Sequence, residues 1–218
     1  MEYGAYLPFW DKLTREQQER IASVVEFRQV PEGSRIHDSS ESCLGLVILK
    51  KGQLRAYLLS ESGREVTISR MVDYDVSLLS ASCVMPDLQM NIMIEAEKDT
   101  ELWSIPACLF KNLVEESLAV SNYSRQLISG YFSEAMWLME QIMWKSFDKR
   151  LATFLLEELQ LEGTPVLKLT HERIANQLGT AREVVTRMLR YFRSEGVVML
   201  NRSTIEITDE KKLRTMAE

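Results

Sequence analysis

The sequence predicts an α+β chain in three parts: a β-rich N-terminal half, a long helix, and a small C-terminal unit of two helices and a hairpin. Three observations lead there. Between Phe27 and Ile105 short β-like runs alternate with turn signals. From Phe110 to Phe147 the pattern turns helical and apolar along two stripes. Leu169 to Ile207 reads as two short helices at a sharp turn, followed by a hairpin.

Composition narrows the class. At 218 residues the chain suits one large or two small domains, and the change of texture along it favours two. With 45% hydrophobic and 27% charged residues it is an ordinary folded protein rather than a disordered one. A net charge of −6 argues against an indiscriminate polyanion binder, but the charge is uneven. Arg173 to Arg202 holds six arginines (173, 182, 187, 190, 193, 202) against Glu183 and Glu195, locally +4. A basic head on an acidic body suits a phosphate backbone, where arginine displaces condensed counterions. Met1 to Asp11 lacks the basic start and apolar core of a signal peptide, and no uncharged run reaches spanning length. A cytoplasmic protein without a membrane partner is expected. The three cysteines, 43, 83 and 108, are widely spaced and odd in number, as reduced thiols would be.

In chain order, Leu7, Phe9, Trp10 and Leu13 precede Thr14-Arg15-Glu16-Gln17, a capping-box pattern that opens a helix with Ile21, Val24 and Val25 inward. Turn signals at Pro31-Glu32-Gly33, Lys51-Gly52, Ser62-Gly63 and Pro86-Asp87 then separate strands over Leu44–Leu49, Leu54–Leu59, Glu65–Arg70, Met90–Ala96 and Glu101–Ile105. Strands at this spacing make an antiparallel sandwich or barrel. In the long helix one stripe runs Leu127, Tyr131, Ala135, Leu138, Ile142 and the other Ile128, Phe132, Met136, Met139, Met143. A helix apolar on two faces needs two covers. One is the chain's own β domain, and the other is most simply the same helix of a second copy, touching Leu127, Tyr131, Leu138 and Ile142. Gly130, costly in a helix interior by about 1 kcal/mol, is tolerable where two backbones approach closely. Asp148 is placed to cap the next helix, Lys149 to Leu161, which Gly163-Thr164-Pro165 closes. The charged tail from Asp209 forms a short final helix.

The C-terminal unit carries the chemistry. Thr170 can cap a first helix through Ile174, Ala175 and Leu178, and Gly179 supplies a positive φ at its end. The second helix starts at Thr180 or Ala181 and buries Val185, Leu189 and Phe192. Its polar face, Arg182, Glu183, Thr186 and Arg187, offers forked donors and a carboxylate acceptor, the types that read base edges in a major groove. Thr170, Arg190, Arg193 and Arg202 would contact phosphate. Glu183 has a competing role, because Thr180-Ala181-Arg182-Glu183 is itself a capping-box pattern. Glu195-Gly196 ends the helix, and Val197–Leu200 with Thr204–Ile207 make the hairpin. No phosphate loop, nucleophile elbow or HExxH occurs, and His37 and His171 stand in no metal-ligand spacing.

The run LTHERIANQLGTAREVVTRML resembles the winged helix-turn-helix of the CRP/FNR transcription regulators, whose recognition helix carries an Arg-Glu-x-x-x-Arg pattern close to Arg182 to Arg187. The turns at Gly33, Gly52 and Gly63 are similar to those of the family's jelly-roll or cupin-like β-roll. The resemblance implies a β-roll sensing domain over 1–112, a dimerisation helix and hinge over 113–147, and a DNA-binding domain over 148–218. It implies a homodimer on double-stranded DNA, with RNA polymerase as a partner if the protein activates. Cyclic-nucleotide members need Gly-Glu and Arg-Ser pairs; here Val76-Ser77 lies near the first and Met90-Asn91 at the second, so cyclic AMP loses its charge-assisted phosphate contact. Iron-sulfur members hold their cluster with four cysteines, one more than this chain has, and a haem axial histidine is likewise unsupported. Ser80, Ser82 and Cys83 are the candidates for an effector or redox contact. The alternative function is a cupin-like small-molecule-binding protein or enzyme whose C-terminal unit serves protein contacts. A contact module, however, has no need of Arg182, Glu183 and Arg187 together.

Overall fold

The computed structural model describes residues 2–37, 45–61, 63–78 and 92–218, in two compact units: 1–59 with 68–135, and 60–67 with 136–218. The first unit opens with two short 3-10 turns, Glu2–Tyr6 and Trp10–Lys12, that bury Leu7 and Phe9 beside helix α1 (Arg15–Val24). The α1 cap forms as its sequence indicates: the Thr14 hydroxyl accepts from the Gln17 N–H at 3.2 Å, and the Thr14 N–H donates to Gln17 Oε1 at 3.0 Å. Ile21 is fully buried, but Val24, expected inward, is 39% exposed, because the helix ends there and the chain turns into strand.

Eight strands follow: β1 (Glu26–Val30), β2 (Arg35–His37), β3 (Leu46–Lys51), β4 (Leu54–Leu59), β5 (Glu65–Met71), β6 (Val76–Leu78), β7 (Ile92–Ala96) and β8 (Thr100–Ile105). They form two four-stranded sheets, ordered β1-β8-β3-β6 and β2-β7-β4-β5. The β1–β8, β3–β8, β3–β6, β2–β7 and β4–β7 pairs are antiparallel. The apolar run Leu46–Leu49 is explained by two covers on one strand. Val47 and Leu49 meet Leu54, Ile94, Ala96 and Leu102, drawn from both sheets. Leu46 and Ile48 instead join Trp103 and Ile105 against Phe9, Ile21, Phe110 and Leu113. Since side chains alternate along a strand, a strand buried on both faces reads as a continuous apolar run rather than an alternating one.

The stretch expected as one long helix is two, α2 (Ala107–Glu116) and α3 (Leu118–Trp144), and the expected next helix follows as α4 (Phe147–Glu162). The N-cap of α4 is Ser146, and Asp148, expected as the cap, lies in the first turn, where its charge faces the positive end of the helix dipole. The helix closes on Gly163 at φ 63°, as its sequence indicates.

The rest of the second unit is β9 (Val166–Leu167), α5 (His171–Leu178), α6 (Arg182–Ser194), β10 (Val198–Asn201), β11 (Thr204–Ile207) and α7 (Glu210–Ala217). The hairpin turns at Arg202-Ser203, with Ser203 at φ 63°. β9 pairs with β11 (Leu167 with Ile205), so the expected two-stranded hairpin is a three-stranded sheet. One core joins all of these elements: Leu151 and Leu155, Ile174 and Ala175, Val185, Leu189 and Phe192, Val198, Ile205 and Leu213. Each fully buried aliphatic or aromatic side chain contributes about 1.5 to 3 kcal/mol. α6 is therefore anchored along its whole inner face.

Candidate nucleic-acid interface

Two helices at a fixed angle present the candidate interface. Thr170 caps α5, its hydroxyl accepting from the Arg173 N–H at 3.1 Å. At the other end Gly179 sits at φ 65°, and its amide donates to the Ala175 carbonyl. A side chain at 179 would also be obstructed, since a Cβ there would stand 2.5 Å from Val66 Cγ2 of the same unit. The last carbonyl of α5 is not left orphaned: Arg150 of α4 donates through Nη2 to the Leu178 carbonyl at 2.6 Å. The turn is thus set by a left-handed residue, a close approach and a cross-helix cap.

The second helix leaves this turn at Ala181, whose side chain makes no capping bond. The capping-box role open to Glu183 is therefore not taken up. Glu183 is exposed and, among the described residues, its carboxylate has no hydrogen-bond or ion-pair partner. Arg187, one turn on, is exposed and likewise without a partner among the described residues. Arg182 stands 3.9 Å from Glu172 with both side chains 64% exposed, a pair of little energetic weight. Thr186 is half-buried: its hydroxyl donates to the Arg182 carbonyl at 2.9 Å, and His171 Nδ1 lies 2.9 Å from the same oxygen. Burial holds the His171 imidazole below its ordinary pKa, and the nearby Arg182 and Arg190 add to the effect.

All four residues expected to read bases lie on the solvent side of α6, opposite the buried Val185, Leu189 and Phe192. Thr170, Arg190, Arg193 and Arg202, expected on phosphate, are exposed as well. The arrangement offers one uncommitted carboxylate and several guanidinium groups on a single rigid rod.

The expected dimer stripe is divided. Leu127 and Tyr131 pack half-buried against the first unit's own core, and the Tyr131 hydroxyl accepts from the Leu78 N–H at 2.8 Å and lies 2.6 Å from Ser77 Oγ. Leu138 is half-buried and Ile142 exposed. Besides Leu118 and Trp144 at its two ends, the outward large side chains of α3 are Phe132, Met136, Trp137, Met139, Ile142 and Met143. Beside Tyr131, burial pushes the Tyr123 phenol up to about 12, with Tyr131 and Asp75 adding to it. Ser80, Ser82 and Cys83 lie outside the described residues, as do Met90 and Asn91.

Comparison with known proteins decides the family. The pattern of the Crp-like helix-turn-helix domain matches residues 149–216. A crystal structure of a protein assigned to the CRP/FNR transcriptional regulators, from Eubacterium rectale, is 51% identical over 98% of this chain and 99% of that one, with a TM-score of 0.95. This chain belongs to the CRP/FNR family of transcription regulators. More distant CRP/FNR relatives extend over the same length. The cyclic AMP receptor protein of Thermus thermophilus is 23% identical over 96% of both chains. The global nitrogen regulator of Synechococcus elongatus is 22% identical over 84% of this chain and 86% of its own. This regulator's α5 and α6 are thus its DNA-binding helix-turn-helix, and the relatives named here are regulators of transcription rather than enzymes. Among the described residues no helix is long and apolar enough to cross a membrane.

Proposed function

We propose that this CRP/FNR regulator acts as a homodimer on an inverted-repeat operator, with α6 of each copy in the major groove. One observation carries the base-reading part: Glu183 and Arg187, one turn apart on the outer face of α6, are exposed and uncommitted among the described residues. Arg187 would donate to guanine O6 and N7 while Glu183 accepts from the paired cytosine N4, so that both converge on one G·C pair. Arg182 reads a second guanine or a phosphate, and Thr186 contacts a thymine methyl. Thr170, Arg190, Arg193 and Arg202 hold phosphates. The dimer forms along α3, with the outward stripe of Phe132, Met136, Met139, Ile142 and Met143 as its centre. Nothing lies within 4 Å of a Cβ built at Gly130, which leaves room there for a second backbone. In this reading 1–112 senses, 113–147 dimerises and 148–218 reads DNA.

The Thermus relative is named for cyclic AMP, but we propose a different effector here. Ser77, near the family's first nucleotide-binding pair, is engaged by Tyr131. The second pair is Met90-Asn91, which has no guanidinium to offer a phosphate. Ser80, Ser82 and Cys83 remain the proposed effector or redox contacts. The test is selection of binding sites from random duplex DNA at a stated salt concentration. An inverted repeat with a TGA-like half-site core, its half-site centres about one helical turn (roughly 34 Å) apart, is expected. Selection that returns no inverted repeat would overturn the reading.

A further inference from the structure

We propose that His171 is a specificity-determining positioning residue, which makes the recognition helix show a methyl group rather than a hydroxyl at the Thr186 step of the groove. The inference rests on the operator reading above and adds a residue to it. His171 is the first residue of α5, Thr186 lies in the second turn of α6, and the two meet through Nδ1 and Oγ1 at 2.9 Å. The same Oγ1 stands 2.9 Å from the Arg182 carbonyl oxygen, one turn back. A hydroxyl has a single proton, whereas a carbonyl oxygen has none to give. If that proton pointed at the imidazole, two oxygens would face each other at hydrogen-bond distance with nothing between them. The proton therefore belongs to the Arg182 carbonyl, and the contact with the ring takes its proton from Nδ1. Both contacts are satisfied only by the Nδ1–H tautomer.

The consequence reaches the DNA. With its proton given to Arg182 and a lone pair given to His171, the Thr186 oxygen is held in place and rotation about Cα–Cβ stops. What the side chain then has left to offer a base is Cγ2. A free hydroxyl donates or accepts and so tolerates several bases, but a methyl packs on the C5-methyl of thymine and on no hydrogen-bonding edge. Burial, with Arg182 and Arg190 beside the ring, keeps the imidazole neutral near pH 7, so Nδ1–H is a single fixed donor there. No residue on α6 itself could lock Thr186 from this side, because the second bond crosses from the other helix of the motif.

Two measurements on the full-length protein test this. Long-range 1H–15N correlation of the imidazole at pH 7.5, without DNA, is expected to show His171 protonated at Nδ1, with that preference lost in Thr186→Val. Binding-site selection is then run on the wild type, Thr186→Val, His171→Asn and His171→Leu. Thr186→Val keeps the methyl, and His171→Asn supplies an amide N–H near the place of Nδ1, so both should keep the thymine preference at the Thr186 step. His171→Leu should weaken that preference about fivefold or more while the preference at the Glu183–Arg187 base pair stays as in the wild type. An Nε2–H ring or a His171→Leu variant with undiminished thymine preference would each overturn the role of His171 and leave the operator reading standing, and a wild-type operator without thymine at that step would overturn that role together with the Thr186 contact. A wild type that selects no inverted repeat would overturn both. Loss of preference at every step alike in a variant that still melts as the wild type does would mark His171 as a general binding residue and also overturn the proposal.

Discussion

Glu183 shows how two local rules compete at one residue. Its place three residues after Thr180 favours a capping role, and its place one turn before Arg187 favours base reading. The helix begins at Ala181 without any side-chain cap, and the carboxylate is left outward. Leaving the cap unmade costs about 1 kcal/mol, a penalty small beside the discrimination that a bidentate base contact provides. Glu183→Ala is therefore expected to relax preference at one base pair in each half-site by about 1 to 3 kcal/mol and to leave the melting temperature unchanged. Arg190→Ala provides the contrast. It should weaken all sequences alike and reduce the slope of log affinity against log salt by about 1.8, the value for two lost phosphate contacts, one from each copy of the dimer. Competition binding over a salt series, with matched and singly substituted operators, measures both.

At the scale of elements, α3 carries two kinds of apolar residue. Leu127 and Tyr131 complete the first unit's own core, and the hydrogen bonds of Tyr131 to Leu78 and Ser77 tie the helix to β6. Phe132, Met136, Met139 and Met143 have no such cover: Phe132 is 68% exposed and Met143 65%. Replacing Met136 and Met139 by glutamate should therefore leave each chain folded and shift sedimentation from two chains to one, with much weaker operator binding. The same change at Leu127 should lower the melting temperature first, because it places a charge in an intrachain core. A double glutamate variant that still sediments as a dimer would place the interface elsewhere.

For the molecule as a whole, the proposed reading assigns recognition to the second unit and sensing to the first. In the reading unit, four helices and a three-stranded sheet share one core, so α6 is held against neighbours on every buried side. In the first unit, two sheets enclose an apolar interior of Val47, Leu49, Leu54, Ile94 and Leu102. Millimolar cyclic AMP is expected neither to bind measurably by calorimetry nor to tighten operator binding. Saturable binding at micromolar concentration would show that the phosphate is held by groups other than the missing arginine. Tyr131→Phe, which removes the hydroxyl from Ser77, should not restore a response, because the absent guanidinium is the larger deficit.

The helix-turn-helix was legible almost to the residue, because its signals are local: a Thr cap, a Gly at positive φ and a 4, 3 apolar spacing each act within a turn or two of chain. The strands with strong apolar runs, such as Leu54–Leu59, were legible for the same reason. β1, with the pattern EFRQV, and β6, with VSL, carry little apolar signal of their own and exist by pairing with β8 and β3. β9 is two residues long and is a strand only because β11 lies beside it. The sequence by itself determined the α+β class, the polar face of α6 and the residues on it, since periodicity assigns a side chain to one side of its own helix. Only the tertiary structure decided which apolar stripe of α3 the chain covers for itself, that Glu183 is not a cap, and that His171 meets Thr186 across two helices. Those outcomes depend on which surfaces are brought together in space, and apolar residues on two faces of a helix look alike until one face has found its partner.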